Sequence, residues 1–212
     1  MNLYFLRHGE TLENVKGTYY GYLDCGLSDK GIHEAERAKK ALSGITFDKV
    51  FISDRKRTFD TAEIVFGKKD INYIIDSRIS EINFGEFEGK TYSEICMLYP
   101  EKIEDWITNW KEFCPPKGES YVCFYDRVKS FMEDIRMKSI SSKSNPNINN
   151  ECILKDADNI LLVTHGGVIR AVYSYILFEN LDTYWKFSSR SGDITLIKYV
   201  NGDFFIDSIV HV

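Results

Sequence analysis

Three short runs in this sequence place groups suited to holding a phosphate directly after an apolar stretch. Arg7-His8-Gly9 follows Leu3-Tyr4-Phe5-Leu6, Ser53 and Arg57 follow Lys49-Val50-Phe51-Ile52, and Thr164-His165-Gly166-Gly167 follows Ile160-Leu161-Leu162-Val163. An arginine fork matches phosphate oxygens, a neutral imidazole is a competent nucleophile towards phosphorus, and glycine lets the backbone bend close to a ligand. A helix opening at Gly166-Gly167 would add the donors of its N-terminus. Singly, each run also has an ordinary reading. Arg57 fits a solvated helix residue within Arg55-Lys56-Arg57, and His165 fits a loop histidine donating to a carbonyl. Their coincidence at three strand ends, where two of the chain's four histidines fall, favours phosphoryl chemistry.

For these runs to meet, their strands must be parallel neighbours in one sheet, since ligands of open α/β sheets bind beyond the carboxyl ends of the strands. The chain order fits that requirement. Strand Leu3–Leu6 is followed by a polar, glycine-containing loop through Gly26. Ser28 is a good N-cap, and Ile32, Ala35, Ala38 and Leu42 recur at helical spacing, predicting a helix from about Asp29 to Leu42 that Gly44 stops. Strand 49–52, a helix to about Phe66 and a strand-like run Ile71–Ile75 complete a β-α-β-α-β order, which calls for a parallel sheet covered on both faces. From Glu81 to Gly118 the pattern changes to an aromatic stretch (Phe84, Phe87, Tyr92, Tyr99, Trp106, Trp110, Phe113), with Pro100 separating two helical pieces. A long amphipathic helix begins near Glu119, its apolar face being Val122, Tyr125, Val128, Phe131/Met132 and Ile135. Ser139–Asp158, rich in Ser, Asn and Lys, reads as a flexible surface loop. The strand Ile160–Val163 leads into a helix from Val168 to about Phe178. Ile194–Val200 and Phe204–Val210 flank Asn201-Gly202, a strong hairpin signal. The expected architecture is one domain over residues 1–212. It is a three-layer α/β/α sandwich whose mostly parallel sheet carries an antiparallel edge strand, with a helical cap insertion at about 81–118.

Composition narrows the partners. The chain of 212 residues carries 27 Lys+Arg against 32 Asp+Glu, a net charge of −5. That balance disfavours nucleic acid and anionic membranes, so a small phosphorylated substrate needs its cations gathered locally. No apolar run approaches the ~20 residues of a membrane span, and Arg7 interrupts the only candidate signal segment, so a cytoplasmic location is expected. Cys25, Cys96, Cys114, Cys123 and Cys152 are odd in number, irregularly spaced and without a CxxC pair. Neither a disulfide framework nor a metal site is indicated. No heptad or apolar patch points to an oligomeric state.

Arg7-His8-Gly9-Glu10-Thr11, with Asn14 three residues on, resembles the signature of the histidine phosphatase (phosphoglycerate mutase-like) superfamily. Further motifs agree in order: Gly21-x-x-Asp24-x-x-Leu27-Ser28-x-x-Gly31, Ser53-Asp54-Arg55-Lys56-Arg57-Thr58 with Thr61-Ala62, Glu81-Ile82-Asn83-Phe84-Gly85-Glu86-Phe87-Glu88-Gly89, and Thr164-His165-Gly166-Gly167. The resemblance implies that His8 is a nucleophile forming a phosphohistidine. It implies that Arg7, Arg57 and His165 bind phosphoryl oxygens, with Asn14 near the nucleophile and Gly166 in the second-histidine turn. It also implies that Glu81 is the general acid for the leaving alcohol. Without it, Glu81, Glu86 and Glu88 could not be told apart. Two arginines and a histidine can neutralise the transferring group without a metal, so no cofactor is expected. His8 must attack as neutral imidazole, so its other nitrogen is expected to donate to a backbone carbonyl.

Hydrolysis is favoured over a mutase reaction on charge grounds. A phosphoglycerate mutase must hold a carboxylate and two phosphates in turn. Yet no arginine occurs from Ile79 to Asp126, where Lys90, Lys102, Lys111 and Lys117 are the only fixed cations. Within the phosphatases, Pro115-Pro116-Lys117-Gly118-Glu119-Ser120, Phe124, Arg127-Val128, Trp106-Ile107-Thr108-Asn109-Trp110 and Tyr184-Trp185-Lys186-Phe187 are similar to α-ribazole phosphatases of cobalamin synthesis. That resemblance implies α-ribazole 5′-phosphate as substrate. A broad-specificity phosphatase and, behind it, a mutase or a non-catalytic phospho-ligand binder are the alternatives. The aromatic cover either stacks on a benzimidazole-type base or only packs the helices onto the sheet.

Overall fold

In the computed structural model residues 1–67, 71–144 and 157–212 are described, with 138–144 described by their backbone alone. The apolar runs assemble as their alternation demands. β1 (Asn2–Arg7), β2 (Lys49–Ile52), β3 (Tyr73–Ile75), β4 (Asn159–Thr164), β5 (Ile194–Val200) and β6 (Asp203–Val210) form one sheet in the order β3-β2-β4-β1-β5-β6. β4 runs parallel to both of its neighbours, and Val163 is in register with Leu6 on one side and Ile52 on the other. The three strands therefore end at one level, and whatever follows them must meet there. β5 is antiparallel to β1 and to β6. Asn201 and Gly202 make the hairpin turn at φ 56° and 99°, as a type I′ turn requires.

Side chains alternate across the sheet with the period of two that a strand imposes. Leu3, Phe5, Ile160 and Leu162 face one side, where Phe124, Val128, Phe131 and Met132 of α6 (Tyr121–Ser144) and Val168 and Val172 of α7 (Gly166–Phe178) cover them. Leu6, Val50, Ile52, Leu161 and Val163 face the other, under Ala38 of α2 (Asp29–Ala41) and Ala62 and Val65 of α3 (Lys56–Phe66). This is the three-layer sandwich. In segment 81–118 lie α4 (Tyr92–Leu98) and α5 (Pro100–Thr108), broken at Pro100 as the sequence indicates. No helix among the described residues is long and apolar enough to cross a membrane.

Four local expectations need correction. The loop before Gly26 contains a short helix, α1 (Leu12–Lys16), closed by a capping box in which Thr11 and Asn14 exchange side-chain and backbone hydrogen bonds. Its apolar residues Leu12 and Val15 are exposed, so no buried period announces it. On α2, Ile32 is exposed and Glu34 is buried instead, because this turn packs on the polar Glu10 backbone, whose N–H donates to Glu34 Oε2 at 2.8 Å. β3 begins at Tyr73 rather than Ile71. The expected loop at Ser139 begins later, since α6 continues to Ser144; residues 145–156, Cys152 among them, lie outside the described residues. Cys25, Cys96, Cys114 and Cys123 are free thiols.

The approach of α2 to the first loop is close. A Cβ on Gly31 would lie 2.0 Å from the Glu10 carbonyl oxygen, a backbone atom with no side chain to swing aside. Gly31→Ala is therefore expected to destabilise the fold by about 2–3 kcal/mol in urea titration. A loss under about 0.5 kcal/mol, the scale of a neutral surface change, would contradict the packing described.

Candidate active site

His8 is the first residue past β1 and is 2% exposed. Its Nδ1 lies 2.8 Å from the Gly9 carbonyl oxygen. A carbonyl only accepts, so Nδ1 carries the hydrogen and the Nε2 lone pair is left to attack. Burial, reinforced by the Arg57 and Arg7 guanidiniums, holds the His8 pKa well below its ordinary value. A neutral imidazole with a free Nε2 lone pair is thus the resting state of His8 at neutral pH.

Arg57, fully buried on α3, has Nη2 donating to the Gly21 carbonyl at 2.7 Å, Nη1 to the Leu23 carbonyl at 3.2 Å and Nε to His165 Nδ1 at 3.2 Å, with the Tyr20 ring 4.8 Å from its Cζ. All of these partners are neutral. A buried guanidinium without a carboxylate is costly to hold and is a site prepared for an anion. Arg7 ends β1 beside it, with Nη1 donating to the Ser189 carbonyl and Nε buried without a hydrogen-bond partner among the described residues. Gly166 leaves it room, since a Cβ there would sit 3.1 Å from the Arg7 Cζ.

His165 is the N-cap residue of α7, its ring 5.1 Å from that of His8. Because arginine only donates, Nδ1 of His165 is bare, and Nε2–H donates to Ser53 Oγ at 2.7 Å. Ser53 Oγ in turn lies 3.1 Å from Thr58 Oγ1. Burial, then Arg57 and His8, lowers the His165 pKa well below its ordinary value. Asn14 is placed one layer behind: its side-chain contacts among the described residues are to Thr11 and to the Tyr20 hydroxyl, which donates to Oδ1 at 2.7 Å.

These two imidazoles make stability depend on acid. Both bind protons more weakly folded than unfolded, so stability is full above the unfolded pKa near 6.5 and falls as pH drops below it. Each contributes a slope of up to roughly 1.4 kcal/mol per pH unit. Urea titrations at about pH 7 and about pH 5.5 are expected to show a clear loss at the lower pH, and His8→Ala a shallower one. An equal loss in wild type and variant would contradict a depressed His8.

Of the three carboxylates in the acid-bearing loop, Glu81 alone reaches α7. Its Oε2 accepts from the Gly167 N–H at 3.0 Å and its Oε1 from the Ile82 N–H at 3.0 Å. Glu86 pairs instead with Lys117 at 2.9 Å. Glu88 accepts from the N–H groups of Gly21, Tyr22, Leu23 and Phe84, at 2.8–3.0 Å, and so joins the loop that holds Arg57 to the loop that carries Glu81. A Cβ on Gly167 would lie 2.1 Å from Glu81 Oε1 and 2.9 Å from the Tyr184 hydroxyl. Gly167→Ala is expected to push the Glu81 carboxyl aside and, with Glu81 in the acid role that the family resemblance implies, to lower kcat by about 10²-fold for alkyl esters. The loss should be smaller for p-nitrophenyl phosphate, whose leaving group needs no proton. Equal losses on both esters would show that the glycine does not serve the acid.

The residues around the Glu81 carboxyl are Arg127 and Tyr184, which the sequence marks only within motifs similar to α-ribazole phosphatases, and Tyr121, which it does not mark. Arg127 of α6 donates to the carbonyls of Arg78 and Ser80 at 2.9 and 2.7 Å and to that of Glu81 at 2.9 Å, while pairing with Glu119 at 2.6 Å. Tyr121 and Tyr184, both buried, close the far side, and the Glu81 field reaches both hydroxyls. Nothing in their spacing marks them, because the contacts form across the fold.

Comparison with known proteins agrees with this geometry. The family model of the histidine phosphatase superfamily (branch 1) matches residues 3–211. The adenosylcobalamin/α-ribazole phosphatase of Salmonella typhimurium is 29% identical over 202 residues, covering 95% of this chain and 92% of that protein. Phosphoserine phosphatase 1 of Hydrogenobacter thermophilus is 28% identical over 197 residues, covering 93% and 86%. The crystal structure of the α-ribazole phosphatase from Shigella flexneri superposes with a TM-score of 0.85 at 25% identity, covering 98% of this chain and 95% of that one. The chain, a phosphomonoester hydrolase, belongs to the histidine phosphatase superfamily (branch 1).

Proposed function

We propose that the enzyme works through a phosphohistidine on His8 and that its substrate is α-ribazole 5′-phosphate. The observation that carries the mechanism is Arg57: a fully buried guanidinium with only neutral partners, against a neutral imidazole whose Nδ1–H is tied to Gly9. Nε2 of His8 attacks phosphorus in line, the P–O bond to the alcohol breaks, and protonated Glu81 gives its proton to the leaving oxygen. Water then attacks the phosphohistidine, Glu81 takes its proton, and inorganic phosphate leaves with His8 restored. Arg7 and Arg57 meet the charge on the transferring group. His165 would donate to the phosphoryl group from Nδ1 in its other tautomer, with Arg57 Nε turned from it to the anion and the Ser53 hydroxyl donating to Nε2; Thr58 Oγ1 keeps an acceptor in either case, 3.0 Å from the Ser53 carbonyl and 2.7 Å from that of Arg55. Asn14 acts behind the site, through Tyr20 beneath Arg57.

Hydrolysis rather than a mutase reaction is supported by where the lysines of the 79–126 stretch are engaged. Lys117 pairs with Glu86, Lys90 donates to the Glu86 carbonyl, Lys111 pairs with Asp182, and Lys102 lies 3.9 Å from Glu101. The likeness to the Salmonella and Shigella enzymes supports the substrate. A broad-specificity phosphatase is the second reading, favoured by the cap itself: Phe87 and Phe113 are core residues stacked on each other, with Trp106 stacked on Phe113 and tilted against Phe87, and so pack the fold. The proposed setting is cytoplasmic. The test is a panel of α-ribazole 5′-phosphate, sugar phosphates, phosphoserine and nucleotides, run with EDTA present. A kcat/KM advantage of at least about tenfold for α-ribazole 5′-phosphate, ~1.4 kcal/mol of discrimination, is expected; a smaller one establishes the broad enzyme.

A further inference from the structure

One further cation, from outside residues 79–126, stands on α7. Arg170 sits on α7 one turn beyond Gly167, the residue that binds Glu81. Its Cζ lies 5.5 Å from the ring centroid of Trp185 and 6.0 Å from that of Tyr184. Among the described residues its Nε is buried without a hydrogen-bond partner and the guanidinium forms no ion pair with a carboxylate, while one of its N–H groups donates to the Tyr184 hydroxyl. The fields of Arg170 and Glu81 overlap on the same three groups, Arg7, Tyr121 and Tyr184. Glu81 must face the leaving oxygen, so Arg170 stands on the leaving-alcohol side of the site. The wall around it is aromatic: Trp110 lies 5.2 Å from Tyr121 and 5.7 Å from Trp185, and Trp185 is 55% exposed.

From this arrangement we infer that Arg170 is a substrate-binding residue for the leaving alcohol, donating its fork to a pair of oxygens close to the ester carbon while the Trp185 face takes the group beyond. Planar, two-pronged donation suits paired acceptors, and a guanidinium held on aromatic rings without a counterion is positioned for them. The paired oxygens are those of a pentose cis-diol or of a carboxylate, chemistries that share this geometry. The inference rests on the assignment of Glu81 as the acid, and not on which alcohol is the physiological one.

The test compares kcat/KM of wild type, Arg170→Met and Arg170→Lys on α-ribazole 5′-phosphate, ribose 5-phosphate, phosphoserine and propyl phosphate. Ratios between esters within one preparation do not depend on the folded fraction, so a poorly folding variant still reports. Arg170→Met is expected to lose at least tenfold more on the oxygen-bearing esters than on propyl phosphate, chiefly through KM, with Arg170→Lys between. A site built to hydrogen-bond a substrate group discriminates in this way. Selective loss on the two pentose esters identifies a diol, and selective loss on phosphoserine a carboxylate. Loss by one common factor on all four esters overturns the inference, since it would place Arg170's effect at the phosphate. A wild-type panel without preference for α-ribazole 5′-phosphate removes the substrate reading and leaves the Arg170 ratios to be judged by themselves.

Discussion

His8→Ala is expected to abolish hydrolysis of every phosphomonoester, by a factor on the order of 10⁴ or more, because it removes the covalent route and not a contribution to binding. The loss must fall on kcat. Arg7 and Arg57 remain, so the variant should still bind inorganic phosphate. Quenched-flow labelling gives the direct readout: wild type passes through an acid-labile, base-stable phosphoenzyme that the variant lacks. Glu81→Gln sharpens the assignment. With p-nitrophenyl phosphate the first step needs no acid, but the second still needs a base for water, so labelled enzyme should accumulate. Turnover of the His8→Ala variant within tenfold of wild type would sink the mechanism.

The second large effect concerns Arg57. Phosphate or vanadate at about one hundred times its Kd stabilises a folded protein by about 2.7 kcal/mol, which for a chain of this size raises Tm by roughly 5–10 °C. Arg57→Met should erase that shift at the same ligand concentration. Two or three charge-assisted hydrogen bonds at about 1.5–3 kcal/mol each amount to some 10²-fold or more in affinity. The stability of the empty variant is a poor guide, since two terms oppose. Removing an unpaired buried charge stabilises, while leaving the Gly21 and Leu23 carbonyls without donors destabilises. The ligand-induced shift is a difference in which both cancel. A full shift in Arg57→Met would mean that the anion does not sit where the buried guanidinium points.

The central strands, and the meeting of the three candidate groups at their ends, were legible because each depends on local pattern. Mostly apolar runs of strand length, each with an arginine or an imidazole within the next few residues, state both where the sheet is buried and where it stops. The hairpin at Asn201-Gly202 is equally local. What escaped was set by contacts across the fold. Ile32 matches the helical period but faces solvent, because Gly31 beside it packs on a backbone carbonyl. α1 buries little and is held by a cap, so hydropathy does not register it. Glu81 could be separated from Glu86 and Glu88 only through a family resemblance, and the structure supplies the physical ground: one binds α7, one a lysine, one a row of backbone N–H groups. Arg127 and Arg170 reach the site from helices distant in sequence, where no spacing rule applies.

Glu88 ties Gly21–Leu23 to the loop of Glu81, and the two stretches also meet at Tyr19, whose carbonyl accepts from the Gly89 N–H and whose N–H donates to the Lys90 carbonyl, each at 2.8 Å. A Cβ on Gly21 would overlap the Ile82 carbonyl oxygen at 1.6 Å. The segment that carries Glu81 is therefore not a detachable module. Transplanting residues 81–118 from a relative without its own 19–23 counterpart would break this seam and disturb the carbonyls that aim Arg57. In this architecture new specificities must be inherited as matched pairs of loops, and a chimera that exchanges only one of them should lose phosphate affinity along with its old preference.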